Sequence, residues 1–247
     1  PPAWRRGLLT LSLLAFVMPT LVLVTGLILL LGHQGLLTPM IRALAGETWT
    51  LYGLPGILLA HVYLNLPLAV RILSQSLDTI PGPALRLAAQ WRLSTWQRLR
   101  RLEWPHCRSA LLATAGLIFI LCFSSFSIVL TLGGGPSATT LEVAIYQALK
   151  FDFNLNEALV LSWLQLLIVG TGLLLLNRAG QTYWLTRPSA TPPGRQFSRR
   201  PAVIAARGAL GAYGLFLLAP VLALCASIVE LPRQAPQWPP LVKALTH

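Results

Sequence analysis

Acidic side chains are few in this sequence. It holds seven Asp and Glu against nineteen Lys and Arg, and charged residues of both signs make up only 11% of 247 residues. Hydrophobic residues account for 55%, and the mean hydropathy is +0.65. Because soluble domains carry about 25% charged residues, this composition excludes an ordinary soluble domain and indicates a protein embedded in a lipid bilayer.

The long apolar runs also lack any acidic residue at their centres. Ion-coupled carriers and intramembrane proteases need buried carboxylates or His clusters as ligands and relays, and these runs offer only His61. We therefore expect no catalytic residues and no metal site. A membrane enzyme or scaffold is the alternative from another class, and the lack of clustered catalytic residues counts against it.

Cysteine is rare as well. Cys107, Cys122 and Cys225 show no C-x-x-C or C…H pattern, and two of them lie inside apolar runs. A disulfide framework or a zinc site is therefore excluded, and buried structural cysteines are expected. The segment 133–136 is glycine-rich but lacks the Lys-Ser/Thr of a Walker A loop. It predicts a turn and no nucleotide site, so this chain is expected to bind no cofactor.

The net charge is +12, and the cationic residues lie between the apolar runs. This distribution indicates membrane topology and not nucleic-acid binding. Five runs predict an all-α polytopic membrane protein with transmembrane helices at about 8–31, 52–77, 109–132, 158–176 and 208–229. With a cytoplasmic N-terminus, fifteen of the nineteen cations lie on the cytoplasmic side. The absence of an initiating Met suggests that the sequence starts inside a longer protein.

Polar residues interrupt two of these runs. His61, Asn65 and Pro67 lie in the second, where they either line a pathway or join helices. Ser124, Ser125 and Ser127 lie in the third, where close helix packing is favoured over a permeation lining. Residues 32–51 are predicted to be a linker, and 141–149 a short interfacial helix.

The segment Pro83–Pro105 separates two apolar runs and carries five arginines. Pro83 is typical of a helix start, and Ser94 with Gln97 has the spacing of a capping box, so two short helices are predicted. Pro105 is expected to mark the end of regular pairing. On composition alone, the segment could also be a basic loop that fixes topology or contacts anionic lipid.

The spacing of this segment resembles the cytoplasmic coupling loop of ABC importer permeases, whose signature is E-A-A, three residues, Gly, nine residues, then I-x-L-P. Arg86 replaces the Glu and Arg92 replaces the Gly, while Ala88 keeps the second Ala. The resemblance implies that the loop docks on an ATPase, which is expected to need a small side chain at Ala88. The implied coupling residues are Arg86, Leu87, Ala88, Ala89, Trp91, Arg92, Leu102, Trp104 and Pro105.

Segments 51–73 and 123–153 are most similar to the branch of this family that imports thiamine or thiamine pyrophosphate, with iron(III) permeases as the alternative. The resemblance implies a type I permease-like helical bundle in the bacterial inner membrane. Residues 1–187 would form most of the first permease half, 188–207 a cytoplasmic linker and 208–247 the start of the second half. The implied partners are the lipid bilayer, a periplasmic solute-binding protein, the remaining permease half and an ATPase dimer that holds ATP-Mg.

Overall fold

The computed structural model describes residues 10, 17–46, 49–133, 138–184 and 200–230, and all regular elements among them are helices. In chain order these are α1 (Thr20–Leu31), α2 (Thr38–Ala45), α3 (Leu54–Asp78), α4 (Gly82–Gln90), α5 (Thr95–Arg98), a π-helical turn (Leu99–Glu103), α6 (Trp104–Phe123), α7 (Phe126–Leu132), α8 (Leu141–Lys150), α9 (Leu155–Trp184) and α10 (Arg200–Glu230).

Four helical stretches within these residues are long and apolar enough to cross a membrane: Leu54–Asp78, Thr95–Phe123, Leu155–Leu176 and Arg207–Ser227. They confirm the polytopic all-α fold. Helix α9 extends beyond the predicted span, and α10 begins at Arg200, inside the segment predicted as a linker. Residues 185–199 of that segment, and the predicted turn at 134–136, lie outside the described residues.

The first predicted span, 8–31, is not one continuous helix. Residues 1–9 and 11–16 lie outside the described residues, and the helix is interrupted at Met18 and Pro19. Pro19 has an extended backbone, with φ −57° and ψ 132°. Because proline lacks an N–H and clashes with the preceding turn, it ends one helix and allows another to start. The apolar helix that follows, α1, has 12 residues.

The third predicted span, 109–132, is also broken. Ser125 has φ −97° and ψ 97°, and its hydroxyl oxygen lies 2.8 Å from the carbonyl oxygen of Cys122. Serine hydroxyls compete with the backbone for such carbonyls, which allows a helix to end and restart. The break at Ser124 and Ser125 divides the run into α6 and the short α7.

At its other end, α6 continues through Pro105, where the prediction of a break is wrong. The helix is continuous from Thr95 to Phe123 over 29 residues. Pro105 cannot supply an N–H, and the preceding turn widens so that the Trp104 N–H bonds to the Leu99 carbonyl, five residues earlier. A π-helical turn of this kind accommodates a proline without ending the helix.

The predicted linker 32–51 also contains a helix. Pro39 lies in the first turn of α2, where its missing N–H costs nothing. The Thr38 side chain donates a 2.6 Å hydrogen bond to the Gly32 carbonyl, which holds α2 against the end of α1. The predicted helix at 141–149 is present as α8.

The core lies where α1, α3, α7 and α10 meet. Its largest fully buried side chain is Tyr63 of α3, whose hydroxyl donates to the Leu217 carbonyl of α10. The Gly53 N–H donates a 2.6 Å bond to the Leu132 carbonyl and joins the start of α3 to the end of α7. Helix α6 packs between α3 and α9. The last helix therefore belongs to the same core as the first.

Close packing of α1 on α10 depends on Gly26. A Cβ added there would lie 2.8 Å from the Pro220 carbonyl oxygen, whereas one added at Gly170 of α9 would meet nothing within 4 Å. Gly26→Ala should lower the free energy of unfolding, because a steric cost of about 1–3 kcal/mol exceeds the helix-propensity gain of about 1 kcal/mol. Gly170→Ala should raise the free energy of unfolding, because it has the helix-propensity gain without the steric cost. Thermal unfolding of the two variants in detergent checks this; equal shifts would contradict it.

Candidate functional site

The turn after α4 has a backbone geometry for which glycine is the usual residue. Arg92 has φ +50°, in the left-handed region. Its N–H bonds to the Ala89 carbonyl at 3.0 Å, and the Leu93 N–H bonds to the Ala88 carbonyl at 3.1 Å. These two bonds form a Schellman motif, in which the left-handed residue is usually glycine. The left-handed residue of this turn is therefore an arginine, at the position where the signature given above has glycine.

Arginine at this position is strained, since a left-handed backbone costs an L-residue about 1–2 kcal/mol. Arg92→Gly should therefore raise the free energy of unfolding of the full-length protein by about 1 kcal/mol, measured as the thermal midpoint in detergent. Arg86→Gly, the same substitution inside α4, should lower it by about 1 kcal/mol. A lower midpoint for Arg92→Gly would show that the Arg92 side chain makes a compensating contact.

The second helix of the loop begins as predicted. The Ser94 hydroxyl accepts from the Gln97 N–H at 3.2 Å, and the Gln97 side chain accepts from the Ser94 N–H at 3.0 Å. This is a complete capping box. Arg98 Nε lies 3.1 Å from a carboxylate oxygen of Glu103 and forms an ion pair along the π-helical turn.

The predicted coupling residues differ in exposure. Trp91, Trp104 and Leu87 are exposed, while Ala88 is only 7% exposed and is covered by this chain. Leu102 is half-buried. Arg86, Ala89, Arg92 and Pro105 are exposed. The loop therefore presents indole rings and guanidinium groups outward and keeps Ala88 inside.

A contact that sequence reasoning missed joins α3 to α6, the two helices on either side of the loop. Thr79 Oγ1 donates to the Ser76 carbonyl at 2.6 Å, so it accepts from His106 Nε2 at 2.7 Å. The Ser76 hydroxyl lies 3.6 Å from Cys107 Sγ. These bonds fix the end of α3 against the start of α6. His106 and Thr79 are far apart in the sequence, and no motif links them.

A cavity of about 350 Å³ lies between α3 and the break that separates α6 from α7. Five of the six residues predicted for a pathway line it: His61, Asn65, Ser124, Ser125 and Ser127. Pro67 is buried inside α3 and is not part of the lining. The sequence did not indicate the remaining lining residues, Met18, Thr20, Leu64, Leu121, Phe126 and Ile128.

His61 connects α3 to this break. Its Nδ1 lies 2.7 Å from the Ile57 carbonyl, which only accepts, so Nδ1 donates. Its Nε2 lies 2.6 Å from Ser125 Oγ. A hydroxyl has one proton, so the Ser125 hydroxyl donates either to Nε2 of a neutral imidazole or to the Cys122 carbonyl, 2.8 Å away. The bond therefore joins the middle of α3 to the interruption in the third span.

Asn65 lies one turn further along α3. Its amide nitrogen donates to the His61 carbonyl at 2.9 Å and lies 3.4 Å from Cys122 Sγ. Because a carbonyl only accepts, this bond fixes which end of the amide is nitrogen. Within the described ranges, no group of three or more His, Cys, Asp and Glu side chains could hold a metal ion.

Comparison with known proteins places this chain in a family. Residues 1–182 match the binding-protein-dependent transport system inner membrane component family. The chain is similar to the thiamine transport system permease protein ThiP of Escherichia coli, with 47% identity over 176 residues, which is 70% of this chain and 32% of that protein. The corresponding protein of Haemophilus influenzae is 48% identical over 163 residues, 65% of this chain and 30% of that protein.

A more distant relative is the ferric transport system permease protein FbpB of Actinobacillus pleuropneumoniae, with 29% identity over 140 residues, or 56% of this chain and 20% of that protein. The chain spans about a third of the length of the thiamine permeases that it matches. Since the family match covers most of the chain, the chain belongs to the binding-protein-dependent transport system inner membrane component family, whose members are multi-pass transport subunits.

Proposed function

We propose that this chain forms part of the permease of an ATP-driven importer, which passes thiamine or thiamine pyrophosphate from a periplasmic binding protein to the cytoplasm. The observation that carries the proposal is the loop Pro83–Pro105. It keeps the spacing of the coupling motif and the left-handed turn at Arg92, in a chain with 47% identity to a thiamine permease.

The coupling step is proposed to use the outer surface of this loop. Trp91 and Trp96 are 69% and 68% exposed, and Leu99 is 42% exposed. Exposed indole rings next to arginines are suited to insert into a groove on a partner protein. The partner is proposed to be an ATPase dimer that binds ATP-Mg, because the sequence has no Walker A motif of its own.

A second permease half is proposed to supply the other docking loop. This sequence contains one segment with the coupling spacing, whereas an ATPase dimer offers two equivalent docking surfaces. The chain also matches only 32% of the length of the Escherichia coli relative. Residues 1–247 alone, expressed with the ATPase, are therefore not expected to support uptake.

Uptake by reconstituted proteoliposomes tests the proposed function. The full-length permease that contains this chain, with its ATPase and binding protein, should accumulate labelled thiamine only when ATP is present. Iron(III) is the second candidate solute because FbpB is 29% identical over 140 residues. Uptake of iron and not thiamine would replace the proposed solute, and no ATP-dependent uptake of either would reject the proposed function.

Membrane orientation is proposed to place the N-terminus in the cytoplasm, because fifteen of nineteen cations then lie inside. Single cysteines can be introduced after replacement of Cys107, Cys122 and Cys225. A cysteine at Arg98 should be protected from an impermeant thiol reagent in intact cells, whereas one at Thr139 should react. Reaction of both positions from the same side would contradict the proposed topology.

A further inference from the structure

We propose that the cavity between α3 and the α6–α7 break is a solute subsite, and that it holds the aminopyrimidine ring of the transported molecule. This inference rests on the proposed function, since that ring is common to thiamine and thiamine pyrophosphate. The cavity volume of about 350 Å³ falls within the usual range for small-molecule sites, roughly 300–1,000 Å³.

The first support is an acceptor that no described residue engages. Asn65 is only 7% exposed, and its amide nitrogen is held by the His61 carbonyl. Its Oδ1 accepts no hydrogen bond from any described residue, and Asn65 lines the cavity. Asn65 Oδ1 is therefore available to a donor that enters the cavity.

Two hydroxyl groups accompany this acceptor. Ser124 and Ser127 both line the cavity, and among the described residues neither side chain forms a hydrogen bond. A hydroxyl is both a donor and an acceptor. The Thr20 hydroxyl also lines the cavity without such a bond, so the free groups that the described residues offer there are one amide oxygen and three hydroxyls. These groups match a ring that carries an amino donor beside nitrogen acceptors.

The charge of the lining selects the part of the solute that fits. The described lining includes no Asp, Glu, Lys or Arg. A diphosphate needs cationic partners, and a trivalent metal ion needs anionic ligands, because a buried charge is costly unless it is paired. The aminopyrimidine ring is neutral, so it needs neither cationic nor anionic partners. It stacks against an apolar wall that includes Phe126.

A small number of neutral contacts also suits a site that the solute occupies only during transport. A site on a permeation route must bind well enough for the solute to enter and weakly enough for it to leave. Neutral hydrogen bonds from Asn65, Ser124 and Ser127 meet this condition better than an ion pair does.

The test uses the full-length permease with its ATPase and binding protein in proteoliposomes. The solutes are thiamine and oxythiamine, in which a carbonyl oxygen replaces the pyrimidine amino group. Asn65→Leu should lower thiamine uptake at least tenfold and lower the thiamine-to-oxythiamine uptake ratio at least threefold. Ser127→Ala should lower thiamine uptake about threefold. Because the binding protein is the same throughout, a changed ratio must come from the permease.

Matched controls are Asn156→Leu and Ser162→Ala, which make the same changes on α9, outside the cavity lining. Both should keep wild-type uptake and ratio. If Asn65→Leu does not assemble with the ATPase, Ser127→Ala decides the outcome. Wild-type uptake and ratio in the assembled cavity variants would overturn the subsite, although the proposed function would stand. Absence of thiamine uptake by the wild type would instead reject the proposed function.

Discussion

Ala88→Asp should abolish transport and co-purification of the ATPase in the full-length permease. Ala88 is 7% exposed, and its carbonyl accepts the Leu93 N–H that holds the turn at Arg92. A buried, unpaired carboxylate costs about 3–5 kcal/mol. This cost falls on the fold of the loop, because Ala88 is covered by its own chain. If the ATPase binds only the folded loop, its association should weaken at least a hundredfold, since about 1.4 kcal/mol is a factor of ten. Pull-down titration measures the association, while membrane insertion and capture of the loaded binding protein should be unchanged.

Ala89→Asp is the matched control, because Ala89 is the next residue of the same helix and is exposed. If burial determines the effect, ATPase association should weaken much less in Ala89→Asp than in Ala88→Asp. The reverse order would mean that the ATPase contacts Ala89 directly. Normal transport by Ala88→Asp would leave Pro83–Pro105 with only a topological role.

The double substitution Trp91→Ala and Trp96→Ala should also weaken ATPase association. In this variant the fold of the loop stays intact, and the loss comes from the missing contact surface. Both rings are more than two-thirds exposed, so their removal opens no cavity in this chain. A tryptophan at the centre of an interface contributes about 2 kcal/mol or more, which corresponds to about a thirtyfold change in affinity. Titration of purified ATPase against the reconstituted permease measures this change.

Trp163→Ala is the corresponding control. Trp163 is 64% exposed on α9, within a stretch that is apolar enough to cross a membrane. An exposed indole on that surface is expected to face lipid, so ATPase affinity should not change. Equal losses in Trp163→Ala and the loop variant would indicate a general destabilisation and would contradict docking through the loop.

The sequence predicted those elements that depend on local physical chemistry. Pro83 and the Ser94–Gln97 pair identified where both helices of the loop begin, because proline at a helix start and a capping box act over a few residues. The second helix is not short as predicted, since it continues to Phe123. The apolar runs identified α3, α9 and α10, because the hydrophobicity of a continuous segment is also a local property of the sequence. His61, Asn65 and the three serines were selected because polar groups inside an apolar run must face protein or water.

Other features depend on contacts between distant segments. The break at Ser125 involves His61, 64 residues earlier, and the pair forms only after α3 and α6 have packed. The burial of Ala88 depends on how α4 lies against the rest of the chain. Local rules also gave the wrong result at Pro105, because a π-helical turn satisfied the backbone where an α-helix would have ended.

The continuous helix from Thr95 to Phe123 has a mechanical consequence. At 1.5 Å per residue, its 29 residues form a rod about 43 Å long. A tilt of about 5° at the loop end would displace the opposite end by roughly 4 Å, which is more than the length of a hydrogen bond. The 2.6 Å bond between His61 and Ser125 lies just beyond that end. If the helix moved as one body, a small rotation at the loop would thus be enough to separate the two residues and change the shape of the cavity.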